Sequence, residues 1–326
     1  MRRTALTALA LLGLALPALA GPLDPPAGPI SPTGKTLASV EPRTAVSAEN
    51  TPGDASSHFV ISKPGSYYLT GNLKVSKTYG VVIISPDVSL DLNGFLISAD
   101  GPGAQGGIWC YSDGQNLYPR VSIRNGNVAG AFGDVGVRLD GELSLVENVA
   151  ISGVADTGLS LGYHSRALRC RVSNCQVGIS ASLGTTIESC DISDCTAYGV
   201  SIGEGRVIGC TISLNAIGVY SYAASEIRDC LLRYNASGSG AGILLGGVGA
   251  RVDGNNILGS WNGIQLGASA TDNLVTRNTI RKGGGLSSIT MAGQPANSFP
   301  NNHVAAILAD PASTFASTNP FANIQH

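Results

Sequence analysis

The chain has 326 residues, of which 43 are glycine, 13% are charged and 43% are hydrophobic, with a formal net charge of −2. That balance supplies no basic field to collect phosphates, so it excludes nucleic acid and anionic lipid as electrostatic partners. Cys-x4-Cys occurs twice, at Cys170/Cys175 and Cys190/Cys195, but the two cysteines of each pair should lie on different walls of a coil, so no metal and no cofactor are expected.

Residues 1–20 read as an export signal: Arg2 and Arg3 give the positive start, Ala5 to Leu16 the apolar stretch, and Ala18-Leu19-Ala20 the small-residue cleavage site. The expected location is therefore secreted, periplasmic or at the cell surface. The apolar run is too short to span a bilayer, and no transmembrane segment is expected. Residues 21–53, with Pro22, Pro25, Pro26, Pro29 and Pro32, form an extended leader. Residues 54–79 read as N-terminal capping strands: Phe59-Val60-Ile61, a turn at Pro64-Gly65, then Tyr67-Tyr68-Leu69.

From residue 80 to 283 the pattern is periodic. Glycines recur at the start of short branched-apolar runs, and from Gly136 through Gly158, Gly178, Gly199, Gly218 and Gly242 to Gly263 the intervals are 22, 20, 21, 19, 24 and 21 residues. Such a period is one coil of a β-solenoid, and about ten coils at ~4.8 Å give a stack roughly 45–50 Å long. One apolar column runs Val146, Ala167, Ile187, Val207, Ile227, Val252, Val275, and a second runs Ile151, Val172, Ile192, Ile212, Leu232, Ile257, Ile280. The apolar period of two and the glycine content rule out amphipathic helices. The fold class is all-β, a single-stranded parallel β-helix, closed by a capping tail at 284–326 whose aromatic points are Phe315 and Phe321.

Cys170, Cys190, Cys210 and Cys230 keep a 20-residue phase and should point inward; Cys175, Cys195, Asn215 and Asn235 make a second column at a turn. Stacked asparagines pass amide hydrogen bonds from coil to coil, and cysteine stacks as a small hydrophobe. A structural ladder of free thiols is the preferred reading, with disulfides between adjacent coils the alternative in an exported protein.

For chemistry, the nearest approach to a catalytic set is Arg169, Arg171, Glu188, Asp191 and Asp194, a base-and-carboxylate mixture of the kind glycan lyases and hydrolases use. Tyr163, Tyr198, Tyr220, Tyr222, Tyr234 and Trp261 are spread over successive coils and are candidate platforms for sugar rings. Nothing in the pattern sets an oligomeric state.

The glycine-opened coils resemble the right-handed parallel β-helix proteins of the pectate-lyase-like superfamily. The stretches Phe59–Asn72, Val88–Gly94 and Asn319–Ile324 look like the opening and closing segments of a group of exported bacterial β-helix proteins. The resemblance implies the fold and, by analogy, a polysaccharide or cell-envelope partner. The paired aspartates, His-Gly and Arg-x-Lys stretches of polygalacturonases are absent, as is the calcium-carboxylate set of pectate lyases. The leading expectation is a non-catalytic glycan- or surface-binding module. A polysaccharide lyase, hydrolase or epimerase and a purely structural or adhesive protein are the alternatives.

Overall fold

The computed structural model describes residues 41–111, 117–235 and 240–281, and the backbone of strands Ser287–Met291, His303–Ala305 and Leu308–Ala309. The export signal, residues 21–40 of the leader and residues 310–326 of the tail lie outside the described residues. The described residues from Pro42 onward belong to one compact unit.

One coil shows how the sequence builds this unit. Thr157–Leu161 forms a strand, a turn follows, and Arg166–Leu168 and Arg171–Ser173 make two short strands separated by Arg169 and Cys170. Arg169 takes a left-handed φ of 51° and Asn174 one of 55°, so the chain bends twice and returns to start the next strand at Val177. Repetition gives two parallel sheets, one of 11 strands and one of 21, the second drawing two short strands from each regular coil. This is a right-handed parallel β-helix of about ten coils.

The apolar columns stack in register as the spacing predicts. Val146, Ala167, Ile187, Val207, Ile227, Val252 and Val275 pair successively, and so do Ile151, Val172, Ile192, Ile212, Leu232, Ile257 and Ile280. All are buried and together form one continuous core. The opening glycines have a reason that alternation alone does not supply. None of the opening glycines Gly136, Gly158, Gly178, Gly199, Gly218 and Gly242 has positive φ; each is glycine for want of space. A Cβ on Gly178 would lie 2.5 Å from the Gly199 carbonyl oxygen, and one on Gly199 would lie 2.7 Å from that of Gly218. The glycines form a column whose backbones touch coil to coil.

Strand pairing already starts at Thr44, within the segment read as a leader. Thr44–Ala45 pairs with Tyr67–Tyr68, Val46 is buried, and the Arg43 guanidinium lies 4.7 Å from the Tyr68 ring centroid and 3.3 Å from Asp91. At the other end the backbone strands 303–305 and 308–309 still pair in parallel with 274–276 and 279–280, although the glycine signal has stopped.

Candidate functional site

The two bend columns hold the ladders. Cys170, Cys190, Cys210 and Cys230 are buried at the first bend and continue into Asn255 and Asn278. The Cys230 amide donates to Asn255 Oδ1 at 3.0 Å, and Asn255 Nδ2 donates to Asn278 Oδ1 at 2.9 Å and to the Ile227 carbonyl at 2.9 Å. At the second bend the Cys195 amide donates to Asn215 Oδ1 and Asn215 Nδ2 to Asn235 Oδ1, at 2.9 and 3.0 Å. Where sulfur replaces the amide, it plays the same part more weakly: the Cys170 amide reaches Cys190 Sγ at 3.4 Å and Cys190 Sγ reaches the Ala167 carbonyl at 3.7 Å. All seven cysteines are unpaired and buried. Burial pushes the Cys195 thiol up to about 12. Cys110 also rises to about 12, by burial first and the Asp140 charge second. Raised in this way, Cys110 and Cys195 are poor nucleophiles near neutral pH. Among the described residues no group of three His, Cys, Asp or Glu converges to hold a metal.

The five predicted catalytic residues do not assemble as one cluster. Arg171 and Asp191 are register partners on adjacent coils, 3.8 Å apart and exposed. Arg169 is tied to Glu147, and Glu188 is drawn to Arg166 at 3.0 Å. Asp194 sits on the second bend at φ 57°. Left-handed bends at Ser189 and Asp194 lie within this short stretch. Only Arg169, Arg171 and Asp191 share a groove, of about 510 Å3, with Asn125, Asn148 and Ser189.

The aromatic set fares differently. Tyr198 and Tyr220 stack at 5.1 Å with 22° between planes, and Tyr222 lies 5.9 Å from Tyr220. Burial, with Tyr163 and Tyr220 nearby, raises the Tyr222 phenol. The missing side chains of Gly203 and Gly246 make room for the Tyr222 and Tyr220 rings. Tyr163 lines a separate hollow of about 680 Å3 with His164, Glu204, Arg206 and Arg251. Tyr234 sits at a bend with φ 52°, against Gly259, and Trp261 is half-exposed just ahead of strand Asn262–Leu266, so neither joins the group.

Tyr198 and Tyr220 lie on strands of the eleven-stranded sheet, and Tyr222 follows directly after the second of these strands. The central outward column of this sheet runs in register as Val82, Trp109, Arg138, Ser160, Ser180, Ser201, Tyr220, Leu244 and Gln265. From Trp109 to Tyr220 is five steps, ~24 Å at the strand spacing. A second cluster, absent from the sequence reading, occupies the far end. Tyr79 lies 4.6 Å from Trp109, Tyr111 lies 6.0 Å from it, and Arg138 caps Trp109 and Tyr111 at 4.9 and 5.4 Å. Arg138 Nε donates to Asp140 at 2.9 Å, and Nη1 stands 3.9 Å from Asp134. The signal was present, since Asp134 and Asp140 flank Arg138 outside the apolar alternation. The longer coil between Gly107 and Gly136 hid its phase. The result is a strip of serines with an aromatic group at each end.

Residues 177–309 match the protein family described as right handed beta helix region. No curated protein sequence matches significantly. Among solved structures, the A-module of the mannuronan C-5 epimerase AlgE6 of Azotobacter vinelandii superposes with a TM-score of 0.62 at 11% identity, over 87% of this chain and 88% of that one. The tailspike protein gp208 named Dettilon gives 0.59 at 14% identity, over 83% of this chain and 60% of its own. The tailspike of E. coli bacteriophage HK620, solved with a pentasaccharide, gives 0.59 at 15%, over 82% and 57%. The chain thus spans 60% and 57% of the two tailspike chains. Identities of this size establish the fold alone. Among the described residues no helix is long and apolar enough to cross a membrane.

Proposed function

We propose that this β-helix is a carbohydrate-active module, exported from the cell, that seats a polysaccharide along the outer face of its eleven-stranded sheet. The observation that carries the reading is the Tyr198–Tyr220–Tyr222 group in line with Ser201, Ser180 and Ser160. Tyrosine offers a flat apolar face to the C–H side of a sugar ring together with a polar tip, and serine hydroxyls both donate and accept.

The neighbours in fold include a protein named as an epimerase and one solved with a pentasaccharide. They favour processing, as lyase, hydrolase or epimerase, over a non-catalytic or purely structural role. On the proposed face the groups able to take part are Asp134 and Asp140. Both face the same guanidinium, Asp140 at 2.9 Å and Asp134 at 3.9 Å, so two carboxylates stand beside one end of the strip. The groove at Arg169, Arg171 and Asp191 is the second place where chemistry could occur.

The test exposes the mature protein to neutral and acidic polysaccharides with calcium present. It reads binding, new reducing ends, unsaturated-product absorbance and ring inversion by NMR. Turnover that is lost in Asp140→Asn supports processing on the sheet face, while turnover untouched there and lost in Arg171→Ala moves the chemistry to the groove. Binding without turnover supports a recognition module. Silence in every channel across the panel refutes the carbohydrate reading.

A further inference from the structure

The charge of this protein is divided between its two sheets. The described strands of the 21-stranded sheet are rich in Arg, Asp and Glu, as in RAL, TTIE, DIS, GRVI, SEIR and RVD. The eleven strands of the other sheet read SHFVI, YGVVI, GGIWC, VGVRL, TGLSL, VGISA, YGVSI, IGVYS, AGILL, NGIQL and SSITM. Those eleven contain a single Arg, Arg138, and no Lys, Asp or Glu.

Resting on the carbohydrate reading above, we infer that the ligand of the sheet face is a neutral glycan and not a polyuronate. A polyuronate brings one carboxylate per sugar. Laid along the strip, it would lose water from those carboxylates against tyrosine rings and serine hydroxyls. An unpaired charge is expensive to desolvate, so such a chain needs cations along its path. The strip supplies only Arg138, whose guanidinium is already engaged by Asp140 at 2.9 Å and faces Asp134 at 3.9 Å. Those two carboxylates make the end of the strip net negative and repel an anionic chain. A neutral sugar has no such requirement. Its apolar face stacks on the tyrosines, and its hydroxyls meet Ser160, Ser180 and Ser201, which lie one rung apart. The charge-dense sheet compensates little, because many of its charges pair across coils, as in Arg166–Glu188 at 3.0 Å and Arg206–Glu226 at 3.4 Å.

The experiment measures affinity of the full chain at low salt for two probe sets: soluble β-glucan and galactomannan against alginate and polygalacturonate. At least one neutral probe should bind at least tenfold more tightly than either uronate, and Tyr220→Ala should weaken that binding at least tenfold with an unchanged circular dichroism spectrum. Ser180→Lys, which adds a cation in mid-strip at an outward position, should raise uronate affinity severalfold. A uronate that binds wild-type protein as tightly as the neutral probes, through a site sensitive to Tyr220→Ala, overturns the inference and leaves the carbohydrate reading standing. Failure of all four probes to bind counts against both.

Discussion

The glycine column can be tested with one methyl group. Gly178→Ala would place a Cβ 2.5 Å from the Gly199 carbonyl oxygen, 2.7 Å from Ile192 Cγ2 and 3.1 Å from Cys195 Sγ. Comfortable carbon contacts start near ~3.5 Å, so the methyl overlaps a backbone oxygen and a core side chain by nearly ~1 Å each. Neither can retreat, because the oxygen belongs to the next coil and Ile192 is held between register partners Val172 and Ile212. Overpacking of this kind costs about 1–3 kcal/mol, and the stiffer unfolded chain of an alanine returns about 0.4–1 kcal/mol. The net expectation is a loss of about 1–2 kcal/mol, read as a lower urea midpoint at constant slope. Gly71→Ala is the control: it has no atom within 4 Å of its Cβ and no positive φ, so it should be neutral or slightly stabilising. If Gly178→Ala matches the wild type, the close stacking of coils through this column is wrong.

Asp191→Ala should leave stability within about 0.5 kcal/mol, because its pair with Arg171 is exposed on both sides and long at 3.8 Å; a thermal melt checks it. Asp253 behaves oppositely. A hydrogen bond from Arg277, opposed by burial and aided by Thr276 and Arg251, holds its carboxyl well below the usual carboxylate range. The folded state therefore binds fewer protons than the unfolded one at acid pH. The stabilisation is fully present above the unfolded value of ~3.9 and is lost as pH falls toward the folded one. Asp253→Asn should cost about 2 kcal/mol near neutrality, and the gap to wild type should close below about pH 4 in denaturant titrations; a gap constant with pH refutes the linkage. Thiol labelling of the native protein should proceed slowly at all seven cysteines and reach seven equivalents once the chain is denatured without reductant. Five or fewer equivalents would mean that stacked cysteines have joined.

Much of the architecture was legible because a β-helix repeats each decision every coil. Val146 says little alone, but seven residues in one phase, each with a partner five positions on, fix alternation, register and inward direction together. The cysteine and asparagine columns were readable for the same reason. The site was less legible because it depends on adjacency between columns. Tyr198 and Tyr220 hold different strand positions, yet their rings stack at 5.1 Å across adjacent coils. Tyr234 and Trp261 share a position near the end of a coil and do not meet the others. Glu188 and Asp191 are three apart across a bend and need not converge, and the left-handed φ values at Ser189 and Asp194 place such bends within this run.

The division of charge follows from the same geometry. The short strands beside the bends put outward residues in register coil after coil at ~4.8 Å, where like charges would repel. Opposite signs on neighbouring coils relieve this, as Arg166 with Glu188 and Arg206 with Glu226 do. A charge satisfied by its own neighbour gains little by turning to a ligand and must give up that pair to do so. The eleven-stranded sheet carries almost no charge to satisfy, and its outward column is left with small hydroxyls and rings that pair only loosely with one another. A ligand that brings hydroxyls and apolar faces completes that surface without breaking anything, which is why the plainer of the two sheets is the better place to look for binding.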